Sequence, residues 1–182
     1  IQEERNRRHI AQDDLCDGIC SISTLSRIEN GTQKPTLKVE KALLERLGCS
    51  TENLTFYAGE DEVKKHELEI ELTRLAMHRD SVEEKLALYK KLVKGKKMSH
   101  MEKQFIMMIE AMHGSCSGEW ELTRVQEQLE EALRLTIPQF IENELGRIKL
   151  MSLTEITILN NLGIVKHKQK RNMEAIRIWY YL

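Results

Sequence analysis

Proline occurs at only 2 of the 182 positions, and aromatic residues make up 5% of the chain. Scarce proline leaves long stretches without a helix breaker. Together with abundant Leu, Glu, Lys and Ile, this is the composition of an all-α protein. Charge of one sign is also lacking: the formal net charge is −1, which excludes a general polyanion binder. Cysteine is limited to Cys16, Cys20, Cys49 and Cys116, with no C-x-x-C and no H-x-x-x-H, so no zinc site is expected. These thiols read as reduced, in a cytoplasmic protein. No apolar run approaches the length of a membrane span, and no signal peptide is visible. The phosphate, dinucleotide, hydrolase and zinc-protease motifs are all missing. The carboxylates fall in mixed-charge runs such as Glu67-Glu69-Glu71 and Glu127-Glu130-Glu131, which read as solvated faces. No enzyme, metal or cofactor is expected.

Against these absences, Gln12 to Pro35 is rich in signals. A first short helix starts near Gln12, with Leu15 and Ile19 facing inward at i, i+4. A turn at Cys20 and Ser21 follows, and Ser21 suits the N-cap of a second helix. Leu25 and Ile28 point inward from that helix, and Gly31 can take positive φ as its stop. The opposite face carries Ile22, Ser23, Ser26, Arg27 and Asn30. Short polar side chains with one Arg can approach base edges in a DNA major groove, where Arg bridges guanine O6 and N7. A small solvated helix in a purely structural domain fits the same pattern. Ser23 and Arg27 are the base-reading candidates, with Ile22 available to a thymine methyl and Ser21 beside them at the helix start. Gln12 sits where it can meet a phosphate, Asn30, Thr32 and Lys34 are phosphate candidates, and Glu29 is expected to fold back as a brace. Residues 1–48 hold eight basic and eight acidic side chains. DNA binding would therefore need a local cationic rim, read as Arg27 with Lys34 and Lys38, and a dimer to double it.

The wording of this segment, Gln12, Leu15, Leu25-Ser26-Arg27-Ile28-Glu29-Asn30-Gly31 and Pro35, resembles the Cro/CI-like (XRE) helix-turn-helix family. The run Gly18-Ile19-Cys20-Ser21-Ile22-Ser23-Thr24-Leu25-Ser26-Arg27-Ile28-Glu29-Asn30-Gly31 looks closest to the Rgg-like and PlcR-like peptide-responsive regulators of Gram-positive bacteria. The resemblance covers residues 1–57.

Thr36 to Leu47 reads as a further helix with Val39, Leu43, Leu44 and Leu47 inward, stopped by Gly48. A short helix with Leu54, Phe56 and Tyr57 is expected after Ser50 or Thr51, and 58–62 reads as linker or first turn. Residues 1–58 form the head and 59–182 a second domain. That domain reads as amphipathic helices at 62–78, 81–94, 99–113, 119–135, 138–150, 153–168 and 172–182, with Ile106, Met107, Met108 and Ile109 in its core. Its end is more specific: Leu159, Leu162, Gly163, Ala175 and Trp179 have the spacing of a tetratricopeptide repeat, in which small residues let two helices approach and an aromatic fills the groove. Ala87 and Ala132 offer similar small positions, at intervals of 45 and 43 residues that exceed the roughly 34 of that repeat. The expected fold is thus an all-α protein: a small helix-turn-helix head followed by a right-handed α-solenoid of tetratricopeptide-like hairpins. The chain opens at Ile1 inside a first helix that includes Arg5 and Ile10, and stops at Leu182 within a repeat, so it reads as truncated at both ends.

A head of this family joined to such repeats resembles cytosolic peptide-pheromone receptors. The resemblance implies a transcription regulator that is a homodimer through its repeats and holds a short signalling peptide of quorum sensing on the concave face. Peptide binding would shift the dimer between head placements. Asn160, Ile164 and His167 share one face at i, i+4, i+7 and are the peptide-binding candidates, with Asn160 offering both donor and acceptor. For Asn160 and Asn161, hydrogen bonding within the solenoid is the competing role. The competing function is a helix-turn-helix and tetratricopeptide scaffold that docks proteins, or a DNA-binding regulator with no peptide ligand.

Overall fold

The computed structural model describes residues 1–51, 59–78, 80–94, 98–141, 145–146, 148 and 150–182. Among these residues there are helices and turns but no strand. The helices are α1 (Gln2–Arg7), α2 (Gln12–Cys16), α3 (Ile22–Glu29), α4 (Leu37–Arg46), α5 (Glu60–His78), α6 (Glu83–Lys94), α7 (His100–Ser117), α8 (Leu122–Arg134), α9 (Leu153–Lys168) and α10 (Asn172–Tyr181). Side-chain caps start several of them. Ser21 accepts from the Thr24 amide at 3.1 Å, and Thr36 accepts from that of Val39 at 3.3 Å. Ser99 with Glu102 and Ser152 with Glu155 form reciprocal capping boxes on α7 and α9.

Leu15, Cys16, Leu25, Leu43 and Leu47 close the head core, with Ile1, Ile10, Ile19, Cys20 and Val39 packed around it. Burial pushes the Cys16 thiol up and that of Cys20 to about 11, so both stay protonated. The second core runs from Leu68 on α5 to Ile178 on α10 and contains Ile106, Met107, Met108 and Ile109. Its helices pack largely on their neighbours in sequence: α5 on α6 and α7, α7 on α8, α8 on α9, and α9 on α10. In the last pair Lys166 faces Glu174 at 3.5 Å, while a Cβ on Gly163 would lie 2.6 Å from Trp179 Nε1. These pairings run in opposite directions along the chain, so α9 and α10 are antiparallel and meet closely at the glycine. Trp120 lies against Gly114 in the same manner, where a Cβ would stand 2.5 Å from the indole.

Several sequence expectations are displaced. The α-helix expected over 138–150 is absent among the described residues there, which are turn and irregular backbone with 3-10 geometry at 145–146. Pro138 lacks an amide and disfavours helical backbone at Ile137, and the segment instead seats Phe140 and Leu145 in the body core. Ala87 is exposed, whereas Ala132 is fully buried. The first helix of the motif ends at Cys16 rather than reaching Ile19, because Gly18 takes φ +67° against the Thr136 backbone. Helix α1 ends at Arg7, leaving Ile10 beyond it. Residues 60–62 are the first turn of α5. The expected short helix with Leu54, Phe56 and Tyr57, and Ala58 beside it, lie outside the described residues.

Candidate nucleic-acid interface

Helix α3 turns Leu25 into the head core, and Ile28 is half-buried. This orientation exposes Ser21, Ile22, Ser23, Arg27 and Asn30, with Ser26 half-buried between them. Ile22 is 52% exposed, a large apolar side chain held in water beside serines. The Arg27 guanidinium is exposed and makes no hydrogen bond or ion pair to a described residue. Ser23 and Ser21 share a hydroxyl contact at 2.9 Å, which orders the start of the face. Asn30 reaches Ser26 at 3.5 Å. Thr32 donates to the Arg27 carbonyl at 3.1 Å, closing the end of α3, and Lys34 is exposed just beyond it. The structure thus places Ser21, Ile22, Ser23, Arg27 and Asn30 on the open side of α3, with Thr32 and Lys34 along its C-terminal turn.

Gln12 is less free than its position suggests. Its side-chain amide donates to Glu29 Oε2 at 2.6 Å. Glu29 also receives a two-pronged pair from Arg5, at 2.6 and 2.9 Å. Glu29 is therefore the brace that joins α1, α2 and α3, and its side chain is 1% exposed. The Arg5 guanidinium, with help from Gln12, holds the Glu29 carboxyl below its ordinary 4.5, against the effect of burial. A lowered carboxylate contributes stability that is present above the unfolded value and lost as pH falls through the native one. Head stability should therefore decline below about pH 4.5 in the parent, while Glu29→Gln should be less stable at pH 7 with a flatter acid limb. Urea unfolding followed by circular dichroism at stepped pH measures both.

Lys38 does not belong to the rim. It points away from α3 to Glu69 Oε1 at 2.5 Å and the Tyr89 hydroxyl at 3.1 Å, and its ammonium lies 5.1 Å from the Phe105 ring centroid. A cation on the inward side of α4 finds partners on α5, α6 and α7, and the rim is reduced to Arg27 and Lys34. Arg7 and Arg8 are both engaged by Glu4.

On α9, Asn160, Ile164 and His167 are exposed on one face, which continues to Leu153 and Ile156. Asn161 bonds within the helix, donating to the Thr157 carbonyl at 2.9 Å. Asn160 makes no such bond to a described residue. His167 is engaged at the hairpin turn, where its Nδ1 lies 2.9 Å from Asn172 Oδ1.

The residues that fix the head on the body are not among those singled out by motif or periodicity. Arg46 is buried and bonds to the carbonyls of Leu15 at 3.1 Å, Asp17 at 2.6 Å and Thr136 at 3.3 Å, and to Glu155 Oε1 at 2.8 Å. Its place on the same stripe as Leu43 and Leu47 is a legible signal, since an arginine on an apolar face needs a buried acceptor. Glu45 adds a bond from the Leu153 amide at 2.9 Å. Among the described residues no group of three His, Cys, Asp or Glu is placed to hold a metal ion, and no helix is long and apolar enough to cross a membrane.

Residues 1–54 match the family model described as helix-turn-helix, so the chain carries an XRE-type helix-turn-helix domain at its head. No curated protein and no solved structure matched the chain.

Proposed function

We propose that the protein is a sequence-specific DNA-binding transcription regulator that reads its operator with α3. The observation that carries this is Arg27, exposed and paired with no described residue, among short side chains on the open face of a domain matching the helix-turn-helix model. In this reading Ser23 and Arg27 meet base edges and Ile22 a thymine methyl. Ser21, Asn30, Thr32 and Lys34 meet the backbone, and Gln12 contributes through its hold on Glu29 more than through a phosphate. In this reading the regulator works in the cytoplasm.

Residues 1–58 act as the head and 59–182 as a body of stacked hairpins. Neighbour-on-neighbour packing from α5 to α10 and the Gly163–Trp179 contact support a tetratricopeptide-like solenoid. The body dimerises, which would compensate for the neutral head by doubling its few phosphate contacts. The open α9 face with Asn160, Ile164 and His167 receives a short signalling peptide, and the Asn160 amide, bonded to no described residue, is the group best suited to its backbone. A second reading is that the head docks a protein. The exposed Ile22 and the balanced head charge favour it.

Genomic DNA selection with the protein beside Arg27→Ala separates the two readings. A two-fold-related site is expected, with Arg27→Ala weakening it by about 1–3 kcal/mol and relaxing its sequence. Retention of the same site by the variant would remove α3 as the reader, and no enrichment with or without culture extract would favour protein docking.

A further inference from the structure

Between head and body, α4, α5, α6 and the start of α7 line a cleft of about 440 Å³. Small-molecule sites commonly span about 300–1,000 Å³ and favour domain junctions. Leu37, Tyr89, Leu92 and Met101 give the cleft apolar walls. Most of its charged groups are already paired. Lys38 holds Glu69 at 2.5 Å and Lys65 holds Glu102 at 3.3 Å. Glu62 accepts from the Leu37 amide at 3.3 Å. Two nitrogen-bearing groups on the wall keep donors to spare. Lys41 is ion-paired with Glu45 at 3.8 Å but donates no hydrogen bond to a described residue. His66, half-buried on α5, makes no hydrogen bond to a described residue. The remaining lining carboxylate, Asp61, is exposed and more than a helical turn from His66 along α5.

We propose that this cleft binds a small apolar carboxylate, its carboxylate held by Lys41 and His66 and its body laid on Leu37, Tyr89, Leu92 and Met101. An ammonium and an imidazole N–H are both donors, and a carboxylate takes two such bonds with its own two oxygens. Burial, with Lys41 nearby, keeps His66 below its ordinary value, so it is a neutral donor and Lys41 carries the charge. An amine ligand would instead meet the like charge of Lys41. The carboxylate can belong to a free acid or to the C-terminus of a short apolar peptide. Because the walls come from head and body together, the ligand would bridge them. Its effect on operator binding rests on the function proposed above, whereas its binding does not.

The test is calorimetric titration of the intact protein without DNA, using octanoate, octylamine and N-acetyl-leucyl-leucine. One octanoate or dipeptide per chain is expected, and octylamine should not bind. Lys41→Gln and His66→Leu should each weaken binding, the former about tenfold or more. Met173→Ser, on the exposed face of α10, should leave it unchanged. The tighter of the two carboxylates assigns the source. Saturation by neither carboxylate, equal binding of octylamine, or an affinity indifferent to Lys41→Gln would overturn the proposal. Lys41→Gln also removes the long ion pair to the buried Glu45 carboxylate, so its thermal melt should fall modestly, and the titrations compare proteins at a temperature where both are folded. Loss of operator binding with carboxylate binding intact would count against the DNA reading alone.

Discussion

Arg46→Ala should be among the most damaging single substitutions, costing about 3–5 kcal/mol in urea unfolding. The guanidinium is buried where α4 ends, and its partner Glu155 is buried at the start of α9, with side chains 3% and 1% exposed. Removing the cation leaves the Glu155 carboxylate without its charge partner, and also orphans the carbonyls of Leu15, Asp17 and Thr136. The asymmetry between losing one partner and losing both provides a sharper test. Glu155 also caps α9, accepting from the Ser152 amide at 2.6 Å. Glu155→Gln keeps an oxygen for that cap while deleting the charge. The double variant Arg46→Met with Glu155→Gln should therefore recover part of the loss, with a coupling of about 1–3 kcal/mol in the double-mutant cycle. Additive effects, or a cost under about 1 kcal/mol for Arg46→Ala, would mean that head and body part in solution and the pair is hydrated. The pair links the head to α9, the helix whose outer face carries Asn160 and Ile164.

Gly18→Ala should rival this effect by a different route. Gly18 sits at φ +67°, and a Cβ there would fall 1.8 Å from the Thr136 carbonyl oxygen. The obstacle is backbone, so no rotamer relieves it, and the head must move off the body or α2 must distort. Gly31 supplies the control. It has φ +70° but nothing within 4 Å of a Cβ, so Gly31→Ala carries only the left-handed penalty of about 1–2 kcal/mol. The excess of Gly18→Ala over Gly31→Ala in urea unfolding measures docking of the head. Limited proteolysis should show faster cleavage between head and body in Gly18→Ala alone. Equal behaviour of the two variants would place Gly18 in a turn that serves only the head.

What the sequence determined by itself is what repeats within a helical turn or two. Ser21 and Gly31 bound α3 because a hydroxyl cap and a left-handed glycine act on neighbouring backbone. Leu15 and Leu25 are buried, and Ile22, Ser23 and Arg27 are exposed, because the period of the helix divides its faces. The approach of α9 and α10 was legible because Gly163 and Trp179 belong to one local hairpin. Even the bracing role of Glu29 could be read, though not that Arg5 and Gln12 would supply it. The tertiary structure decided the rest. It stopped α2 short of Ile19, since Gly18 must clear Thr136. It drew Lys38 from the expected rim into a half-buried cluster with Glu69 and Tyr89, and it left Ala87 in solvent. It also joined Arg46 to Glu155 across a separation of 109 residues. Side chains that far apart share no periodic signal. Their pairing is set only when burial removes water and leaves each charge one partner in reach.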